Sequence, residues 1–406
     1  MRALVISDTH FGAWTGRDLL AEERSLERLA PQLDGIDELI ILGDLFDFLF
    51  GSVSDAYAAA EGLFGLVAEK MAARRLVFLA GNHDHHLVHR EGEDSLELEI
   101  ATGRPASKLR RESYFHAFLE RRLPGVEIEI AYPTYRFGEV LLTHGHYLDP
   151  HARLGGSRGS RMLTKTLWGI AAGGPEDPRT IADYESVITL LTEWLYIAAQ
   201  MPHGTHAQQN IYRAVHRAGR IGSALNLPVR GTKRMAAAIR ERGPEATRHG
   251  GEHDDGAGEG MPSEAEFEAV VREETERQHR EAPVPGAAMA RPIYPEASVI
   301  SPSDPSQRAL EGFARVVANL GWAEETEKIV FAHTHQPLAD VRAGADGRVR
   351  YWNTGSWVYE PDLSSRAAYA RYCRFAWPGT AVLIDTDEPA PVLIEMLADL
   401  NPLAGG

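Results

Sequence analysis

Five short apolar runs, the first inside the opening ten residues and the last beyond residue 328, each end in a tip of Asp, Asn or His. Residues 4–6 lead to Asp8-Thr9-His10, 39–42 to Gly43-Asp44, and 76–80 to Gly81-Asn82-His83-Asp84. Residues 140–143 lead to His144-Gly145-His146, and 329–332 to His333-Thr334-His335. Runs this short and this apolar read as buried strands. Between the first three, 17–33 and 55–73 carry apolar residues at helical spacing, so strand and helix alternate. That alternation predicts an α/β sheet with its polar tips on the carboxyl edge, where open sheets bind ligands. Side chains of an extended strand alternate in direction, which predicts that Asp8 and His10 face one ion while Thr9 turns aside.

The regular pattern lapses after residue 150. Helices are expected over 109–123, 163–170, 181–199, 208–218 and 306–319, and strands over 126–130, 134–137, 348–352 and 381–384. The expected division is a catalytic domain from 1–150 and 306–390, a helical insertion or cap over 151–244, a flexible acidic and Pro-rich linker over 245–305, and a tail over 391–406. A basic run over 213–242 stands out, because the 406-residue chain as a whole carries a formal charge of -16. Such a balance argues against a protein that coats nucleic acid with its whole surface. With a single cysteine, Cys373, no intramolecular disulfide forms. The sequence passes from Met1-Arg2 straight into the first strand without a secretory leader, and a cytoplasmic location is the expectation.

Together the tips offer Asp8, His10, Asp44, Asn82, His144, His333 and His335. A mixed oxygen and imidazole set suits Mn, Fe, Zn, Ni or Co, whereas Mg or Ca favours nearly all oxygen. Seven ligands are too many for one tetrahedral zinc. They suit two divalent ions that share a carboxylate and keep positions open, the arrangement that serves in-line attack at phosphorus.

In this order, Asp8-x-His10, Gly43-Asp44, Gly81-Asn82-His83-Asp84, His144-Gly145 and His333-x-His335 resemble the calcineurin-like metallophosphoesterases over about residues 1–150 and 306–390. The resemblance implies a four-layer α-β-β-α sandwich of two mixed sheets, with a helical insertion. It implies one ion on Asp8, His10 and His335, a second on Asn82, His144 and His333, and Asp44 between them; of the metals that suit the donor set, Mn is the first candidate. A metal-bridging hydroxide would attack phosphorus, His83 would assist the leaving group, and Asp84 would orient His83. Two departures stand out: Ala332 replaces the usual Gly before the last His-x-His, and Thr354 replaces the proline of an Asn-Pro-Gly-Ser turn at 353–356.

His146 is a candidate substrate contact or a support for His144. Asp47, Asp149 and His151 are candidates for supporting roles, and His85, His86 and His89 are expected to be solvated or supporting rather than ligands. The tips and the helical insertion look most like the branch that includes UDP-2,3-diacylglucosamine hydrolases, although that branch usually carries Arg where His83 stands. Expected substrates are therefore phosphomonoesters, phosphodiesters or pyrophosphates, small or nucleotide-lipid, with a possible membrane contact through the insertion. Two alternatives stand beside this: a nuclease, favoured only by the basic run, and a non-catalytic metal-binding scaffold, against which the intact ligand set speaks.

Overall fold

The structure is a computed structural model, described here for residues 1–13, 16–88, 114–151, 177–201, 262–281, 307–344, 347–363 and 365–404. The expected helices at 163–170 and 208–218, the basic run, and His89 lie outside these residues.

Two sheets form the centre. In the first, β1 (Arg2–Ile6), β2 (Glu38–Leu42), β3 (Arg75–Leu79) and β4 (Glu127–Ala131) run parallel to one another. The second contains β5 (Thr134–Phe137), β6 (Val140–Thr143), β7 (Lys328–Phe331), β8 (Leu338–Ala343) and β9 (Val349–Asn353), in the order β5-β6-β7-β9-β8. Strands β10 (Thr380–Asp385) and β11 (Val392–Glu395) return to the first sheet and give it the order β11-β10-β1-β2-β3-β4. Both sheets mix parallel and antiparallel pairs.

Strand periodicity divides the core. Ala3, Val5, Ile40, Leu42, Val77 and Leu79 point towards Leu142, Val330 and Trp352 of the second sheet. Their neighbours Leu4, Ile6, Leu39, Ile41, Leu76 and Phe78 point the other way, beneath helices. Those helices are α1 (Glu23–Leu29), α2 (Val53–Ala59), α3 (Glu61–Lys70) and α4 (Tyr114–Arg122). On the far side, Ile329, Phe331 and Tyr351 meet Tyr184 and Ile188 of α5 (Ile181–Gln200) and Phe313 of a later helix over 307–319. The result is the expected α-β-β-α layering, and each fully buried aliphatic side chain in it contributes about 1.5–3 kcal/mol.

Four expectations change. The segment 17–33 is a single α-helical segment, α1, between two 3-10 turns, the second containing Pro31, which has no N–H to continue a helix. The helix over 55–73 is two helices, broken at Ala60. Part of the expected linker is the helix α6 (Glu264–Glu281), capped reciprocally by Ser263 and Glu266, with Phe267 and Val270 packed beside Tyr369. Part of the expected tail is β11, paired antiparallel with β10. The remaining helices are α7 (Gln307–Asn319), the single turn α8 (Trp322–Glu325) and α9 (Arg366–Phe375). Among the described residues no helix is long and apolar enough to cross a membrane.

Candidate metal centre

The parallel strands β1, β2 and β3 of one sheet and β6 and β7 of the other end at the same place, so all five tips meet. Strand alternation is not what aims Asp8 and His10. Strand β1 stops at Ile6, and the two side chains lie beyond it on left-handed backbone, at φ 49° and 47°. Asp44, His333 and His335 share that conformation, at φ 52°, 70° and 55°. Non-glycine residues adopt it rarely and at a cost of about 1–3 kcal/mol each, and such residues cluster at functional sites. The turn is held by backbone bonds from Asp8 N to Gly43 O and from His10 N to Asp44 O, each 3.0 Å.

Two glycines are required by crowding. A Cβ on Gly43, itself at φ +88°, would stand 2.3 Å from His144 Nδ1, and one on Gly81 would stand 2.1 Å from Asp44 Oδ1. Ala332, by contrast, has ordinary backbone and is fully buried, so its methyl group is accommodated without strain.

The donor atoms converge in two groups around one acid. Asp8, His10 and His335 form one, with His335 Nε2 at 3.2 Å from Asp8 Oδ1 and 3.2 Å from His10 Nε2. Asp44, His144 and His333 form the other, with His144 Nε2 at 3.2 Å from Asp44 Oδ2 and 3.3 Å from Asn82 Oδ1. Asp44 Oδ2 is also 3.7 Å from His10 Nε2, which puts it between the groups. Supporting bonds fix which imidazole nitrogen stays free. His144 Nδ1 donates to Leu42 O at 2.8 Å, leaving Nε2 for a cation, and His333 Nε2 donates to Asp149 at 2.7 Å, leaving Nδ1.

Two observations test whether the cluster fits cations. Asp8 Oδ1 is buried and accepts no hydrogen bond, although two imidazoles are near. An unpaired buried carboxylate oxygen costs several kcal/mol unless a positive charge meets it. Protonation is also uneven across the cluster. Burial and the charge of His83 push His10 down to about 3. His144 goes the other way: burial disfavours its charged form, but Asp44 and Asp8 outweigh it and carry it up to about 10. Protons shared this unequally are what a crowd of imidazoles and acids adopts without a cation, and the donor set fits borderline divalent ions.

His83 stands beside the cluster, its ring 4.5 Å from that of His10 and edge-on to it. By distance alone it could join His10 and Asp44 as a ligand. Its Nδ1 donates to Asp47 Oδ1 at 2.8 Å, and its backbone N–H donates to Asp44 Oδ1 at 2.8 Å. Asp84 does not orient it, contrary to expectation. That carboxylate accepts from the backbone of Gly81 at 2.7 Å and of Leu45 at 2.8 Å, tying the β3 tip to the β2 tip, and burial and Asp44 push its pKa up to about 7. The short side chain at position 84 reaches amides of its own turn before it reaches the imidazole next to it. His146, a candidate for substrate contact or for support of His144, is buried, with Nε2 3.3 Å from the Tyr132 hydroxyl. His85, expected to be solvated or supporting, is buried with it, and His86 is half-buried with its ring stacked at 3.7 Å on Tyr196. His151 Nε2 lies 2.7 Å from the Tyr184 hydroxyl, away from the cluster.

Sequence reasoning did not find Ser7, whose hydroxyl donates to Asp8 Oδ2 at 2.5 Å and lies 2.6 Å from that of Thr354. Thr354 N also donates to Phe331 O at 3.1 Å, a bond that the proline it replaces could not make.

Residues 1–176 match the model of the calcineurin-like phosphoesterase family. The chain carries a calcineurin-like phosphoesterase domain. It is accordingly a metal-dependent phosphoesterase, and its clusters of His and Asp can hold metal ions. No curated protein matches the chain.

Proposed function

We propose that this phosphoesterase works with two divalent ions, one on Asp8, His10 and His335, the other on Asn82, His144 and His333, with Asp44 shared. What carries this reading is the position of Asp44, whose Oδ2 lies 3.2 Å from His144 on one side and 3.7 Å from His10 on the other. Bound there, a pair of such ions acidifies water and clamps the oxygens of a phosphoryl group. Manganese is the first candidate for the donor set, ahead of Fe, Zn, Ni and Co.

His83 supplies the proton that the leaving oxygen needs. Burial works against its charged form, but Asp44 and Asp47 prevail and carry it up to about 9 in the metal-free protein, and Asp47 remains beside the ring to favour its protonated form. Asp47 fixes the ring, with Nδ1 engaged and Nε2 turned free. A general acid placed this way is worth about 10²–10⁴ in rate. The bond cleaved is a phosphomonoester, phosphodiester or pyrophosphate of a small molecule or nucleotide lipid.

The test is hydrolysis of p-nitrophenyl phosphate and bis-p-nitrophenyl phosphate by the full chain with Mn, Zn or Fe added, followed by nucleotide sugars and nucleotide-lipid pyrophosphates. Turnover that requires the metal supports the reading. Metal-loaded protein that hydrolyses none of them supports the non-catalytic scaffold instead.

A further inference from the structure

Beside the metal cluster lies a second buried polar group, made of His85, Tyr132, His146, Tyr147 and Glu185. Four of these belong to the catalytic domain: His85 to the β3 tip, Tyr132 to the end of β4, and His146 and Tyr147 to the turn after β6. Glu185 comes from the first turns of α5, in the insertion. Its carboxylate is saturated. Oε1 accepts from the hydroxyls of Tyr132, at 2.5 Å, and of Tyr147. Oε2 lies 2.9 Å from His85 Nε2 and accepts from Thr189 Oγ1 at 3.3 Å. An ionised carboxylate offers about four acceptor positions, and all are used. Burial alone would raise its pKa, but the charge of His85 and these bonds hold it down to about 2.

The same face of α5 continues towards the other tips. Tyr196 stacks on His86 and meets Phe48 at a ring distance of 6.3 Å. Gln200 accepts from Val53 N at 3.0 Å and donates to Gly51 O at 3.3 Å. Positions 185, 189, 196 and 200 recur at helical spacing, so one face of one helix touches the loops after β2, β3 and β6. Two of the contacts fall two residues past proposed site residues, His85 after His83 and His146 after His144.

We propose that Glu185 is a positioning residue for the phosphoesterase, through which the insertion helix fixes the loops bearing Asn82, His83 and His144. The proposal rests on the two-ion reading above. Without the carboxylate, two tyrosines and a histidine lose their common acceptor, and both loops lose their anchor. The effect falls on the ion held by Asn82, His144 and His333, because two of those three ligands sit on the anchored loops.

The experiment is equilibrium dialysis of the full chain against manganese, with p-nitrophenyl phosphate kinetics, for wild type, Glu185→Ala and Glu185→Gln. Wild type binds two ions. Glu185→Ala is expected to bind one of them about 10–100-fold more weakly, the usual loss when a group that supports metal ligands is removed, with KM unchanged at saturating manganese. Glu185→Gln retains an oxygen for both tyrosines and is expected to stay within about threefold of wild type on the same scale. Folded Glu185→Ala with wild-type affinity for both ions overturns the proposal. So does a third ion in wild type that the variant lacks, which makes the cluster a cation site. Should Glu185→Ala fail to fold, Tyr147→Phe and Thr189→Val each remove one donor, and wild-type manganese affinity in both overturns it equally. Wild type that binds no manganese overturns the two-ion reading itself, before any variant is compared.

Discussion

Two buried clusters of histidine and carboxylate lie side by side in this molecule, and their residue types barely differ. Around Asp8 and Asp44, a carboxylate oxygen accepts no hydrogen bond, imidazole nitrogens face one another, and five side chains sit on left-handed backbone. Around Glu185, every carboxylate lone pair has a donor, and none of His85, Tyr132, His146, Tyr147 and Glu185 adopts positive φ. Composition would assign both to metal, and each contains a set of donors close enough to hold an ion. Hydrogen bonding at the carboxylates separates them. Asp8 Oδ1 accepts no hydrogen bond, whereas Glu185 has a donor for every lone pair even though His146 Nδ1 beside it has no partner, the distinction expected between a carboxylate that spends stability on function and one that supports it.

The largest effect that would break this contrast is on the first cluster. Asp44→Ala removes the acid whose Oδ2 lies between the two imidazole groups, so metal binding and turnover are expected to disappear together. Metal analysis beside p-nitrophenyl phosphate hydrolysis checks this, and two ions retained in the variant would mean that Asp44 is not shared. Next in size is His83→Ala. Both ions should remain, while the rate falls about 10²–10⁴-fold. Loss of an ion instead would transfer His83 from acid to ligand. Asp47→Ala comes third, with an expected loss of about 10–100-fold and both ions bound. Because Asp47 is one of the acids that raise His83, its removal should also move the alkaline limb of the pH–rate profile to lower pH. An unmoved limb would dissociate His83 from that proton.

Much of this could be read from the chain itself. Tips of Asp, Asn and His after apolar runs were legible because strand burial and metal ligation both leave residue-type signatures at short range. The glycines before Asp44 and Asn82 carry the same kind of signature, since close approach excludes a side chain. What was not legible depends on which atom meets which across the fold. Asp47, 36 positions away, rather than the adjacent Asp84 holds His83. Ser7 and Thr354 meet although 347 positions apart, with no pattern in either neighbourhood to announce it. Strand β11 is hidden in the sequence because it is short and its four residues are only partly covered or exposed, so the apolar signal that marks β1 and β2 is missing. Helix α6 had a legible start in Ser263-x-x-Glu266, masked by the acidic composition around it.

The smallest expected effect sharpens the contrast from the side of the satisfied cluster. Glu185 is held down to about 2 from an ordinary 4.5, so its charge contributes stability that is fully present above pH 4.5 and is lost as pH falls through about 2. One pKa unit corresponds to about 1.4 kcal/mol. The side chain is still a fifth exposed to water, which screens the interaction and brings the expected contribution to about 1–2 kcal/mol. Urea unfolding of wild type and Glu185→Gln at pH 7 and at pH 3 measures it: the variant should start lower at pH 7 and lose less on acidification. Equal pH dependence in the two proteins would mean that the carboxylate is not held as an anion by its neighbours. The Glu185 carboxylate would then be no better satisfied than Asp8, and hydrogen bonding at the carboxylates would no longer tell the two clusters apart.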